Sequence, residues 1–208
     1  MTGPTKVPET TAAALGVRSH SGWAAYVVLT GDPKKPDIVA RGRMELCDRA
    51  ISGSKQPFHE AEPMAFAAAE KFLARCTDST NALASAAITE ICKRNRVTAC
   101  CVWTASGKPL PDLKNILASH ALIHTAEGEF YRDAIARACT RRKIAVRRVR
   151  ERDMETELLK LPLAIVAAKT RVAEFGKQLG PPWTQDEKLS ACGAWLMLAS
   201  LPTHQGRS

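Results

Sequence analysis

The sequence predicts an α/β domain in which a five-stranded mixed sheet carries helices on both faces. Its first part contains three strand patterns joined by short turns, which is typical of an antiparallel meander. Its remainder alternates helical patterns with two further strand patterns, which is typical of parallel strands. The first of these two is apolar throughout, as expected of a central strand that is buried on both faces.

The meander is predicted from residues 13–17, 23–30 and 37–46. The first two runs are apolar, and the second is rich in β-branched and aromatic residues. Apolar and polar residues alternate in the third run, so we expect a half-exposed strand at the edge of the sheet.

The helical part begins with an Ala-rich pattern over residues 60–95. A polar cluster at residues 77–80 is predicted to divide it into two helices, because Ser, Thr and Asp side chains cap helix starts. Residues 97–103 form the predicted central strand. The remaining predicted elements are helices at 112–122 and 125–139, a strand at 144–149, and helices at 154–159, 163–175 and 184–199.

We expect one domain over residues 13–201, between a flexible tail at residues 1–12 and a second tail at residues 202–208. The first tail lacks the apolar run of a signal peptide, and no run reaches the ~20 apolar residues of a membrane span. A cytoplasmic protein without a membrane partner is therefore predicted. The seven cysteines lie in apolar stretches without a CxxC pair, which predicts free, buried thiols and no zinc site.

The net charge of +9 favours an anionic partner such as nucleic acid, the alternative being a basic protein whose charge only keeps it soluble. Cationic residues are densest around a predicted helix end and the strand that follows it. They are predicted to form one positive face that contacts a nucleic-acid backbone, the alternative being a solvated helix end. The predicted contact residues are Arg137, Arg141, Arg142, Lys143, Arg147 and Arg148.

The order of elements is accompanied by Leu15-Gly16-Val17 before Gly22-Trp23, and by a last helix rich in small residues at 189–194. In this combination the chain resembles the ribonuclease H-like fold, particularly its Holliday-junction-resolvase branch, as a degenerate bacterial member. The resemblance implies carboxylates on the first strand, near the end of the central strand and on the final helix. In that family they hold two cations about 4 Å apart, which clamp the attacking and leaving oxygens of a phosphodiester.

This chain departs from the family pattern on its first and central strands. Arg18 stands where the family carries an aspartate, and the central strand ends in Trp103 and Thr104 without an acid. Only Asp186, in the first turn of the last helix, matches a family acid. We therefore predict that Arg18 pairs with Asp186 in place of the metals and that no cofactor binds. Two alternatives stay open: Arg18 binds the phosphate or carboxylate of a ligand with its planar guanidinium, or a single divalent cation binds at Asp186.

The resemblance also places the turn after the first strand beside the end of the central strand, where we expect a ligand cleft. The predicted cleft residues are Arg18, Ser19, His20, Trp103, Thr104 and Trp183. The alternative for Trp183 is a core anchor, the commoner role of a buried tryptophan.

Candidate catalytic residues are His124, Glu127 and Asp186. Glu127 lies on the inward-facing stripe of a helix that Thr125 is expected to cap. Two interpretations of Glu127 stay open. One is an acid–base pair with His124, and the other, which is the commoner arrangement, is a buried capping carboxylate beside a hydrogen-bonded histidine.

These observations favour a non-catalytic or divergent domain that binds an anionic partner such as nucleic acid. Two other interpretations stay open. One is a divergent hydrolase of phosphate esters or nucleic acid, with His124 or Glu127 as the base and Asp186 as a metal ligand. The other is a dimeric interaction protein without a ligand, joined through its Ala-rich helices.

Overall fold

A computed structural model describes residues 11–105, 109–161 and 165–202 of the chain. The predicted tails at residues 1–12 and 202–208 lie almost wholly outside the described residues. No helix in the described ranges is long and apolar enough to cross a membrane.

Five strands form one sheet in the order β3-β2-β1-β4-β5. The first three are antiparallel, β4 is parallel to β1, and β5 is parallel to β4. This arrangement confirms the predicted fold class, with β3 as an edge strand. The strands are β1 (Ala13–His20), β2 (Trp23–Asp32), β3 (Lys35–Glu45), β4 (Val97–Thr104) and β5 (Ala145–Arg150).

Helices cover both faces of the sheet, as the sequence predicts. The α2 and α4 helices pack against one face, and α6 and α7 pack against the other. Alternation along β1 produces both cores, because Leu15 and Val17 face α4 whereas Ala14 faces α7. The helices are α1 (Pro57–Ala61), α2 (Phe66–Arg94), α3 (Leu113–Leu117), α4 (His120–Arg141), α5 (Met154–Leu158), α6 (Ile165–Leu179) and α7 (Gln185–Ala199).

The prediction that residues 77–80 divide the Ala-rich segment is wrong, because α2 runs through them without a break. Cys76, Thr80 and Ala84 lie one turn apart on the buried side of α2, and Thr80 is only 2% exposed. Ser79 donates its hydroxyl to the Asp48 carboxylate instead of capping a helix. Tertiary burial of this stripe therefore outweighs the local capping preference.

The start of α4 also differs from its prediction. The helix begins at His120, so Thr125 lies inside it and its hydroxyl donates to the Ala121 carbonyl. Thr125 therefore caps no helix. The seven cysteines are free, as predicted, and most of them are buried.

Gly16 allows α7 to lie directly on the backbone of β1. A Cβ atom at this position would be 1.9 Å from the Ser190 carbonyl oxygen and 2.4 Å from the Ala194 amide nitrogen. Residues 189–198 of α7 are all buried, so this helix is enclosed by the sheet and its neighbouring helices. The close approach positions Asp186, in the first turn of α7, beside the end of β1.

Candidate functional site

The Arg18 guanidinium lies between two carboxylates at the carboxyl end of β1. Its Nε and Nη2 atoms donate to Oε1 and Oε2 of Glu151, each at 3.1 Å, and Nη1 donates to Asp186. Glu151 begins a short 3-10 turn directly after β5. The predicted ion pair between Arg18 and Asp186 is confirmed, and a second acid joins it.

His20 and two further side chains extend this cluster toward the surface. The Nε2 atom of His20 lies 2.8 Å from Asp186 Oδ1. The His20 ring stacks on Trp23 with 4.5 Å between ring centroids, and Arg43 Cζ lies 4.0 Å from the centroid of that indole. A continuous series of contacts thus joins Arg43 to Asp186.

The electrostatics of the cluster favour its charged form. Burial would raise the pKa of Asp186, but hydrogen bonds from His20 and Arg18 outweigh it and hold this pKa below its ordinary value. Burial would lower the pKa of Arg18, but the bonds to Glu151 and Asp186 raise it instead. A guanidinium paired with both acids leaves them little capacity to coordinate a cation.

The stability contributed by Asp186 is expected to disappear in acid. Its folded pKa lies below the unfolded value of about 3.9, so its contribution is full above that pH and is lost as pH falls through the folded pKa. Asp186→Asn should cost about 2 kcal/mol at neutral pH and much less in acid. Urea denaturation of both proteins over a pH series measures this difference.

The matched control is Glu155→Gln, which removes an exposed carboxylate that pairs with Lys169. Its effect on unfolding should be small at every pH, because water screens exposed ion pairs. A constant penalty for Asp186→Asn from neutral pH into acid would contradict the expectation.

A cleft of about 440 Å³ lies beside Trp23. Its walls are the turn between β1 and β2 and the loop at residues 47–55. Arg43, Arg49 and Lys55 bring positive charge to it, and Glu45 pairs with Arg43 at 2.6 Å. A buried side chain of α4 holds this loop in place, because the Tyr131 hydroxyl donates to the carbonyls of Ser54 and Lys55.

The structure brings together only part of the predicted cleft. Arg18 and His20 lie at the site, whereas Trp103 is fully buried and donates its indole N–H to the Leu189 carbonyl at 2.7 Å. Ser19 and Thr104 are 8% and 2% exposed. The prediction that Trp103 and these two residues line the cleft is therefore wrong.

Trp183 takes its alternative role as a core anchor. Its indole N–H donates to the Val172 carbonyl at 2.9 Å, and its ring packs against Phe175. At the start of α7, Thr184 and Glu187 form a capping box.

Of the two interpretations of Glu127, the acid–base pair with His124 does not form. Glu127 Oε2 accepts from the backbone N–H groups of Phe58 and His59, at 3.1 and 3.3 Å, and lies 3.0 Å from His59 Nδ1. His124 contacts His120 instead. Both members of the predicted pair belong to α4, which packs on the sheet face opposite to α7, so neither joins Asp186.

Burial also changes the titration of Glu127. It raises the pKa of this carboxyl, and the hydrogen bonds from His59 and the two amides only partly offset the effect. The alternative interpretation of Glu127, a buried carboxylate that accepts backbone N–H groups, is therefore the one that the contacts support.

The predicted positive face is divided between the two sides of the sheet. Adjacent residues of β5 point to opposite faces, so Arg147 pairs with Glu157 at 2.6 Å while Arg148 pairs with Glu129 and Asp133. The prediction of one continuous face is therefore wrong. Arg142 and Lys143 are exposed at the end of α4, and Arg137, Arg141 and Arg148 border a separate groove of about 380 Å³.

The sequence reasoning missed Glu151 and Trp23 as members of the site. A signal for Glu151 was available, because the carboxyl ends of parallel strands meet at one edge of a sheet. Since β1, β4 and β5 are parallel, an acid directly after β5 belongs near the end of β1. The contact of Trp23 with His20 follows from their direct pairing across the hairpin.

No family model and no curated protein matches this sequence. Solved structures do match it. RuvC of Thermus thermophilus in complex with a Holliday junction substrate has a TM-score of 0.53 and 10% sequence identity, over 89% of this chain and 91% of RuvC. Another Thermus thermophilus RuvC structure has a TM-score of 0.52 and 11% identity, over 88% and 91%. The chain therefore has the ribonuclease H-like fold that RuvC has.

Proposed function

We propose that this chain is a non-catalytic ribonuclease H-like domain that binds nucleic acid through the basic cleft beside β1. The observation that carries the proposal is the Arg18 guanidinium between Glu151 and Asp186. Two-metal hydrolysis of a phosphodiester needs several carboxylates that are free to hold cations. Here both carboxylates of the cluster already have a permanent cationic partner, because an arginine stays protonated at any physiological pH.

The positive charge of the chain supports an anionic partner. The net charge is +9, and the cleft next to the Arg18 cluster carries Arg43, Arg49 and Lys55. Among the described residues, no carboxylate lies within ion-pair distance of Arg49 or Lys55. These two side chains are therefore available to phosphate groups of a nucleic acid. Their binding would release the counterions that are condensed on those phosphates.

The aromatic wall of the cleft suits a nucleic acid rather than a free phosphate. Trp23 is half-buried, stacked on His20 and covered by Arg43 on its ring. His20 and Arg43 occupy the two faces of this indole, so the surface that remains for a base is the Arg43 guanidinium, whose side chain is 53% exposed. Bases stack on guanidinium planes as they do on aromatic rings. RuvC, which shares the fold, has been solved with a Holliday junction substrate, and this supports the same class of partner here.

Loss of the cleft cations is expected to weaken nucleic-acid binding by about tenfold or more and to reduce the salt dependence. Each lost phosphate contact should lower the slope of log K against log salt by about 1. The test is fluorescence anisotropy of the wild type and the double variant Arg49→Ala/Lys55→Ala. Labelled single strands, duplexes, four-way junctions and RNA serve as probes.

The matched control is the double variant Arg137→Ala/Arg141→Ala, which removes the same charge from the other basic groove. It should keep most of the affinity. If this control loses the binding and the cleft variant keeps it, the interface lies at α4 and the cleft is the wrong site. Failure of the wild type to bind any probe at low salt removes the nucleic-acid proposal altogether.

The same probes test the non-catalytic part of the proposal. With magnesium or manganese, the wild type is expected to leave all four nucleic acids intact. Metal-dependent cleavage that disappears in Asp186→Asn would overturn the proposal in favour of the divergent hydrolase. Gel electrophoresis of end-labelled probes reports the result directly.

A further inference from the structure

Three histidines converge at the start of α4, away from the Arg18 cluster. His120 and His124 lie one helical turn apart on the same face of α4, and α1 brings His59 to them. Each of the three side chains has a ligand nitrogen within 4.8 Å of the others. The ring centroid of His59 lies 5.7 Å from the ring centroid of His120 and 4.7 Å from that of His124.

The spacing of the nitrogens is close to that of ligands on one ion. The Nε2 atoms of His120 and His124 are 3.1 Å apart. Two nitrogens bound at about 2.0–2.1 Å to a tetrahedral zinc ion lie about 3.4 Å apart. The three ligand nitrogens lie within 4.8 Å of one another, so they must approach by ~1 Å to bind one ion. His120 and His124 are exposed, and rotation of their rings allows this movement.

A buried carboxylate supports the third histidine. Glu127 follows His124 by three residues on the same face of α4, and its side chain is only 4% exposed. Its Oε2 atom lies 3.0 Å from Nδ1 of His59 and also accepts two backbone N–H groups. This contact engages Nδ1 of His59, so the other ring nitrogen, Nε2, is the one available to a metal.

We propose that His59, His120 and His124 bind one zinc-class divalent cation, with Glu127 as a positioning residue for His59. Imidazole nitrogens suit zinc and its neighbours in the first transition row, whereas magnesium requires oxygen ligands. A histidine ligand that donates its second N–H to a carboxylate is the usual support of such sites. The fourth position faces solvent and suits water, because two of the three ligands are exposed.

The bound ion would join α1 to α4. The α1 helix follows the 47–55 loop, and among described side chains Glu127 already ties it to α4. A ligand that binds only the folded chain raises its stability by mass action. Zinc should therefore raise the midpoint of thermal unfolding.

No CxxC pair marks a zinc site in the sequence, and the cation considered from the sequence lies at Asp186 and not at these histidines. His59 is remote in the chain from the other two ligands, and only the packing of α1 against α4 brings it to them. The spacing of His120 and His124 was visible in the sequence, although two histidines one turn apart are not by themselves a site.

The test uses the full-length chain after treatment with a chelator and dialysis. Calorimetric titration with zinc should show one ion per chain. Cobalt, as a spectroscopic probe, should give the visible absorption of a tetrahedral site with nitrogen ligands. The affinity should fall by at least about 10-fold in His124→Ala and by about 10–100-fold in Glu127→Gln, with the ligand set unchanged in the latter.

The matched control is Asp186→Asn, which removes the other position where a cation was considered. It should bind zinc as the wild type does. Absence of stoichiometric zinc binding by the wild type, or its loss in Asp186→Asn with retention in His124→Ala, would overturn the proposal. Because His124 is exposed, the metal-free variant His124→Ala should unfold at the same temperature as the metal-free wild type. A loss of zinc affinity without a loss of metal-free stability identifies His124 as a ligand and not as a structural residue.

Discussion

Replacement of Gly16 with alanine is expected to destabilise the chain by at least about 3 kcal/mol, at or above the upper end of the usual cost of overpacking. The added methyl group would lie 1.9 Å from the Ser190 carbonyl oxygen and 2.4 Å from the Ala194 amide nitrogen. Both are backbone atoms of a buried helix, so neither can rotate away. The α7 helix must instead move away from β1, which disrupts the close packing of the core between this helix and the sheet.

The displacement should also disturb the candidate site. Asp186 lies in the first turn of α7 and meets Arg18 and His20 only because that helix lies close to β1. A domain of this size loses about 2–4 °C of melting temperature per kcal/mol, so Gly16→Ala should melt roughly 10 °C lower. Differential scanning calorimetry measures the shift.

Gly128→Ala is the matched control, because it adds the same methyl group elsewhere. The new Cβ would meet Arg132 Nη1 at 2.7 Å, but that atom is the end of a flexible side chain. Alanine is also favoured over glycine inside a helix by about 0.5–1 kcal/mol. The control should therefore be neutral or slightly stabilised. Equal melting temperatures for the two variants would contradict the packing argument.

The second large effect is expected from Arg18→Met, which keeps the length of the side chain and removes its charge. Glu151 and Asp186 would then face each other without their shared cation. Removal of one partner of a buried ion pair costs about 3–5 kcal/mol. Arg18 is 23% exposed, so water reduces the expected cost to about 2 kcal/mol.

A divalent cation should partly reverse this loss. Manganese can take the place of the guanidinium between the two carboxylates, and binding to the folded state alone raises stability. Manganese is expected to raise the melting temperature of Arg18→Met and to leave that of the wild type unchanged. Thermal unfolding with and without manganese provides the comparison.

The control for this experiment is Arg132→Met. The Arg132 side chain is 12% exposed and pairs with Glu129, but Glu129 retains Arg148 as a second partner. Manganese should not stabilise this variant. If manganese stabilises the wild type as much as Arg18→Met, the guanidinium does not exclude cations and the electrostatic basis of the proposed function fails.

Much of the sheet followed from local patterns in the sequence. Alternation and apolar runs predicted all five strands, because burial on one or both faces leaves a signal within a few residues. The divisions of the helices were less predictable. A cluster such as residues 77–80 has the composition of a cap, and only the burial of Thr80 shows that α2 continues through it.

The candidate site, too, was predictable from the sequence only in part. The pairing of Arg18 with Asp186 was predicted because the family resemblance supplied the positions of both residues. Glu151 and His59 were not predicted, since each meets its partners only through the packing of remote segments. The predicted positive face failed for a geometric reason, because Arg147 and Arg148 alternate across β5.

The sequence by itself determined the class of the fold, the free cysteines, the positive charge and the exchange of an expected acid for Arg18. The first three are properties of composition and of short-range periodicity, which one segment carries alone. The exchange at Arg18 is visible only through the family resemblance. The tertiary structure decided which charges neutralise each other and which histidines converge. Such contacts depend on strand register and helix packing. A shift of one residue turns a side chain to the opposite face of a strand, and it rotates a side chain by about 100° around a helix.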